Sequence, residues 1–236
     1  MLGAQIVIVM KKTTKKKLTT KKPGDGNMGE THRKVQLWKD GPYWATTNIG
    51  ADTPEDSGYY FWWGDTVGYK RENDKWVAAY RESSEFLFES DNTPTFDKYF
   101  FTLQSEEWIT PEYALAPEHD AAHVQWGGKW RLPTMEELRE LKDKCDWTWK
   151  TVKGVGGYVV RGRAAYASAS IFLPASGYGV GTSLLSVGSY GSYWSSVPRA
   201  DRSYAWILYF RSDEHSIIDD FRNRGRAVRP VQGVAQ

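Results

Sequence analysis

The sequence predicts an α+β domain with little helix and much loop, and three observations lead there. Twelve Trp and 22 Gly in 236 residues suit a fold whose rings fill the core and whose glycines make the turns. Only one stretch has a strong helical period, around Thr134 to Cys145. The segment Ser203–Ser212, "SYAWILYFRS", alternates as a strand with one buried face does.

Composition bounds the rest. Hydrophobic residues make up 40% and charged residues 25%, as in a globular protein. The single cysteine, Cys145, rules out an intramolecular disulfide and any two-thiolate metal site. The net charge of +2 is divided: residues 1–34 carry +7 and residues 35–236 carry −5. The Lys/Thr-rich stretch 1–34 is expected to be a disordered basic tail. A basic tail alone does not specify a nucleic-acid site, and none is assigned. "MLGAQIVIVM" holds about eight apolar residues, too few to cross a bilayer. Its charges follow the apolar run, whereas a secretion signal places them first, so neither a transmembrane segment nor a standard signal is expected.

Along the chain, Val35 opens the folded part, a single domain over 35–236. "GPYWATTNIG" reads as a strand after a turn, and "TPEDSG" as the start of a short helix with Thr53 as N-cap and Pro54 at its first position. Residues 68–110 are polar loops broken by aromatics ("ENDKW", "ESSEF", "ESDNTPTFDKYF") and are expected to be an insertion packed by its rings. Thr134 and Glu137 form a capping box, and Met135, Leu138, Leu141 and Cys145 make one apolar stripe, so Cys145 is expected in the core.

After Lys153 the composition changes. The last 83 residues contain nine arginines and not one lysine. From Tyr178 to Arg224 the types Lys, Glu, Gln, Met and Trp occur only as Trp194, Trp206 and Glu214. Lys, Glu and Gln are ordinary surface residues, so their avoidance is unusual. Within "SYAWILYFRS", Ala205, Trp206, Leu208 and Phe210 are expected to face the core. Ile207, Tyr209 and Arg211 are then expected outside, and they resemble the residue types of binding hot spots. The competing expectation has them covered by the 68–110 insertion.

Other sites fall short of their chemistry. His119 and His123 have zinc-helix spacing, but Asp120 stands where a general-base Glu belongs and no third ligand is evident. Ser189 in "VGSYG" has Val187 where a nucleophile elbow needs Gly. No phosphate-binding glycine loop with a following Lys occurs, and the scattered carboxylates single out no glycosidase pair. No cofactor or metal is expected, and the chain is not expected to be an enzyme.

An ordered set of segments carries a resemblance: "YWATTNIGADTPEDSGYYFWWGD", "DAAHVQWGGKWRLPTMEELREL", "IFLPASGYGVGTS", "GSYGSYWSSV", "YAWILYF" and "GRAVRPVQ". Together they resemble the bacterial and phage C-type-lectin-fold domains related to formylglycine-generating enzymes. They are most similar to the variable proteins diversified by diversity-generating retroelements. The resemblance implies a C-type lectin fold: a small twisted, mostly antiparallel sheet with two helices and long loops. It also implies a ligand-facing surface in the last segment, displayed to an unknown protein or surface ligand from a phage particle or bacterial cell. Diversification at template adenines, often in Asn codons ending in C or T, cannot produce Lys, Glu, Gln, Met or Trp. That is the bias of Tyr178–Arg224.

The diversified positions implied are Val180, Leu185, Ser186, Tyr190, Ser192, Arg199, Asp201, Arg202, Ser203, Ile207, Tyr209, Arg211, Asp213, Ser216, Ile218, Asp219, Asp220, Phe221, Asn223 and Arg224. Gly177, Gly181, Gly188, Gly191, Trp194, Ser195, Trp206, Arg222, Gly225, Arg229 and Pro230 are implied scaffold, and Glu214 has no role in this scheme. Two departures limit the likeness. The enzymes' active-site cysteines are missing, and so are the Glu-Pro-Asn and Trp-Asn-Asp motifs of calcium-dependent lectins. The resemblance therefore implies the fold without the enzyme chemistry or calcium-dependent sugar binding. The alternative is an undiversified structural or adhesive module of the same fold.

Overall fold

The computed structural model describes residues 32–79, 108–200 and 203–233. Asp201 and Arg202 lie outside the described residues, as do residues 80–107 with "ESSEF" and the whole of "ESDNTPTFDKYF". The chain forms β1 (Lys34–Gln36), β2 (Tyr43–Ala45), β3 (Tyr69–Glu72), β4 (Lys75–Ala78), α1 (Ala121–Trp126), β5 (Trp130–Arg131) and α2 (Met135–Lys144). It continues through β6 (Asp146–Val152), β7 (Val155–Arg161), β8 (Ser170–Pro174), β9 (Tyr178–Val180), β10 (Ser183–Leu185), β11 (Gly191–Pro198), β12 (Tyr204–Phe210), β13 (His215–Phe221) and β14 (Val231–Gln232). Small antiparallel sheets and two helices make this an α+β protein. The sheet orders are β1-β2-β14-β5, β3-β4, β6-β7-β8, β9-β10 and β11-β12-β13. Among the described residues no helix is long and apolar enough to cross a membrane.

Local chemistry explains the elements that the sequence announces. Thr134 accepts the Glu137 N–H at 3.1 Å, and the Glu137 carboxylate accepts the Thr134 N–H at 2.8 Å, so the capping box forms. Leu138, Leu141 and Cys145 are buried, and burial pushes the Cys145 thiol up to about 12. The expected helix at Thr53 is instead a single turn, Asp56 N–H to Thr53 O at 3.2 Å. Gly58, at φ +69°, takes the left-handed conformation, and its N–H turns back onto the Asp56 carboxylate at 3.0 Å. That ends the turn before a helix can propagate.

"ENDKW" is also more regular than expected. It closes the β3–β4 hairpin with Asn73 and Asp74 both at positive φ, the demand of a tight two-residue turn. Trp76 on β4 is buried with Tyr60, Trp62, Val67 and Tyr69 in a satellite core.

The β11-β12-β13 sheet stands between two cores. Register partners share a face, so Tyr193, Leu208 and Ile217 face one way, and Trp194, Ile207 and Ile218 the other. The first face joins Leu138 and Leu141 of α2 with Tyr158, Val160 and Leu173 of the β6-β7-β8 sheet. The second meets Ile49, Phe61, Trp63, Leu115, Ala121, Leu132 and Val228. This second layer corrects two expectations. Ile207 is 0% exposed, and so is Ser192. The layer over Ile207 comes from loops at Ile49 and Phe61–Trp63 with α1, and Ile109 at the end of the 68–110 insertion packs against the same cluster. Trp206, expected in the core, is only half-buried, with the Arg199 guanidinium 5.3 Å from its ring centre.

Three arginines are buried in this framework. Arg229 donates to Asn48 Oδ1 (2.8 Å), Ala45 O (3.1 Å) and Phe172 O (2.8 Å), tying the C-terminal segment to β2 and β8. Burial pushes its pKa down to about 10. Arg222 lies 4.2 Å from the Trp63 ring centre and donates from Nε to Tyr204 O at 2.9 Å. Arg226 is described with the surface that it underlies.

Candidate binding surface

The surface is assembled from three pieces of the C-terminal half. The β9–β10 hairpin pairs Tyr178 with Leu185, Gly179 with Leu184 and Val180 with Ser183. Leu184 packs inward near Trp76, while Tyr178 lies on the opposite face, shared with Leu185 and Val180. Gly179 is needed beneath: a Cβ there would stand 2.8 Å from Trp76 Cζ2. Its N–H and C=O bond those of Gly225 at 2.7 and 3.0 Å, which docks the hairpin on the segment leading to Arg226. Gly177 donates to Tyr190 O at 2.6 Å and sets Tyr190 beside Tyr178.

The result is a row of rings. Tyr178 and Tyr190 lie 5.1 Å apart between centroids, and Tyr190 and Tyr209 5.0 Å. Arg211 spans the second pair, 5.9 Å from Tyr190 and 5.8 Å from Tyr209. Arg224 bridges Tyr178 (5.4 Å) and Phe221 (5.6 Å), and Phe221 packs on Tyr204 at 4.4 Å. The Tyr209 hydroxyl donates to the Glu214 carboxylate, and desolvation with this bond pushes its pKa up to about 12. Glu214, the residue without a role in the sequence scheme, thus holds the end of the row.

Below the row lies an ionic cluster. Asp220 Oδ2 accepts from Arg224 Nη1 at 3.1 Å and from Arg226 Nη2 at 2.5 Å. Arg226 is 0% exposed and its guanidinium stands 4.8 Å from the Trp194 ring centre. Its Nε and Nη1 have no partner among the described residues. Burial lowers its pKa, and the Asp220 charge opposes that shift.

The expected positions separate by exposure. Val180, Leu185, Ser186, Arg199, Arg211, Asp213, Ile218 and Phe221 are exposed. Tyr190, Ser203, Tyr209, Ser216, Asp219, Asp220, Asn223 and Arg224 are half-buried, and Ser192 and Ile207 are buried. They also divide in space. Tyr209, Ser216, Ile218 and Asp220 share the face of the tyrosine row. Asp219 lies opposite Trp206 on the other face, where its carboxylate pairs with Arg199 at 3.2 Å. Sequence reasoning missed Tyr178, at the edge of the biased stretch, and Arg226, the buried support just beyond it. The register pairing that brings Tyr178 to Tyr190 has no signature in a linear sequence.

The other residues weighed for chemistry lie elsewhere. His119 stacks on Trp108 at 4.3 Å, and burial lowers its pKa. His123 sits on α1 and lines an open cleft of about 770 Å³ with Tyr113, Trp130, Met135 and Val197. Ser189 Oγ donates to Ser186 O at 3.2 Å. Among the described residues no group of three or more His, Cys, Asp or Glu is placed to hold a metal ion.

Residues 147–231, just over a third of the chain, match a family described as a domain of unknown function, DUF8237. No curated protein and no solved structure matches the chain. The matched segment runs from β6 to β14 and contains every residue of the tyrosine row and its arginines.

Proposed function

We propose that this protein is a non-enzymatic binding protein that displays a hypervariable surface on a C-type-lectin-like scaffold, diversified by a retroelement. One observation carries the reading. The stretch free of Lys, Gln and Met, Tyr178–Arg224, folds back on itself so that rings from β9, the β10–β11 connection and β12 meet in one row. A binding face built of Tyr and Arg with Ser and Asp nearby matches what paratopes use. The small antiparallel sheets, two helices and long loops support the lectin-like reading of the scaffold. The buried Cys145, with its thiol pushed up to about 12, leaves no reactive thiolate for the chemistry of the enzyme relatives.

The test is the DNA around the gene. A nearby near-copy of the segment encoding residues 178–224, differing at adenines and accompanied by a reverse transcriptase gene, is the expected finding. A locus with neither removes diversification and leaves the undiversified adhesive module of the same fold.

A further inference from the structure

We propose that the tyrosine–arginine row takes a carboxylate-bearing segment of a partner protein, an inference that rests on the binding-surface reading above. This surface carries a guanidinium that no acid of its own engages. Arg211 is exposed, lies over two rings, and pairs with no carboxylate among the described residues. Arg224 shares one oxygen of Asp220 with the buried Arg226 beneath it, so part of its own donor edge is left for a partner. Two nearby acids are already engaged: Glu214 by the Tyr209 hydroxyl and Asp219 by Arg199. Asp213 and Glu214, at the tip of the β12–β13 hairpin, are both exposed, and neither pairs with Arg211 among the described residues.

A guanidinium resting between two rings keeps its five donors in one planar fork, which suits bidentate contact with a carboxylate. The rings already pack against one another, so binding orders little that is not ordered beforehand. Exposed apolar side chains stand around Arg224 at the Tyr178 end of the row: Val180 and Leu185 on the face of Tyr178, and Phe221 across the guanidinium. Apolar anchors around a charged centre fit a peptide segment, whose side chains can fill both roles.

The full chain is immobilised and panned against a displayed random peptide library. Enriched peptides should carry Asp or Glu next to apolar residues. Their affinity should fall by about tenfold or more with Arg211→Ala or Arg224→Ala, as truncating a hot-spot residue does. Changing the acid of the peptide to its amide should weaken binding similarly, and Arg211→Lys should recover only part. Failure to enrich any peptide overturns the proposal, as do acidic peptides that still bind both alanine variants. Acid-free peptides that Tyr209→Ala or Leu185→Asp abolishes would overturn the carboxylate claim and leave the binding-face reading standing. Peptides indifferent to all four variants would sink both.

Discussion

Asp220, half-buried on β13, supplies the carboxylate that neutralises Arg226, a fully buried arginine. A position expected to vary is therefore tied to the core. Asp220→Ala should cost about 3 kcal/mol, because removing one partner leaves a buried charge uncompensated. Adding Arg226→Met should restore much of the loss, since an apolar side chain of similar length needs no counter-ion. Urea unfolding of wild type, single and double variants measures this. A single variant within about 0.5 kcal/mol of wild type, as ordinary surface changes are, would show that the pair carries no weight.

Ile207 and Trp206 exchange the energetic roles that simple alternation assigns them. Ile207→Ala should cost roughly 2–4 kcal/mol, because it opens a cavity between Trp194 and the second core. Trp206→Ala should cost about 1 kcal/mol, since its half-buried ring rests under the Arg199 side chain. Thermal melts of the two variants decide the order. The reverse ranking would return Ile207 to the surface.

Gly191 is held by Phe210, its register partner on β12. A Cβ at Gly191 would lie 1.9 Å from Phe210 Cζ, and Phe210 is fully buried in the first core. Gly191→Ala should destabilise by about 2–3 kcal/mol through overpacking, and Gly191→Ala with Phe210→Leu should cost less than the two changes added. Strict additivity in denaturant midpoints would mean that the contact is not the cause.

Asp65 gives the fold a pH dependence. Its Oδ2 is buried without a partner among the described residues, while Oδ1 accepts the Val67 N–H at 3.1 Å. Desolvation pushes its pKa from 3.8 up to about 7, against the pull of backbone N–H groups at residues 66–68. The folded state then holds a proton that the unfolded chain releases, so stability present below about pH 4 is lost as the pH rises through 7. His119 and His215 act in the opposite sense, because burial lowers both. Comparing wild type with Asp65→Asn cancels the histidines. The variant should gain on wild type between pH 4 and 7, and parallel stability curves would rule out titration of Asp65 in that window.

What short-range chemistry decides can be read from the chain alone. Thr134 and Glu137 start α2 because a capping box needs only residues three apart. Leu138, Leu141 and Cys145 reach the core because helical spacing puts them on one face. The strand at Tyr204–Phe210 was legible from its alternation and β-branched and aromatic content. Which side of that strand meets water depends on long-range packing. Alternation presumes one wet face, and β12 is the middle strand of a sheet packed on both sides, so Ile207 is as buried as Leu208. The same limit hid Tyr178 and Arg226 from the binding surface. Their places depend on Gly179 pairing with Gly225 across the chain, and hydrogen bonds between residues so distant in sequence leave no periodic trace.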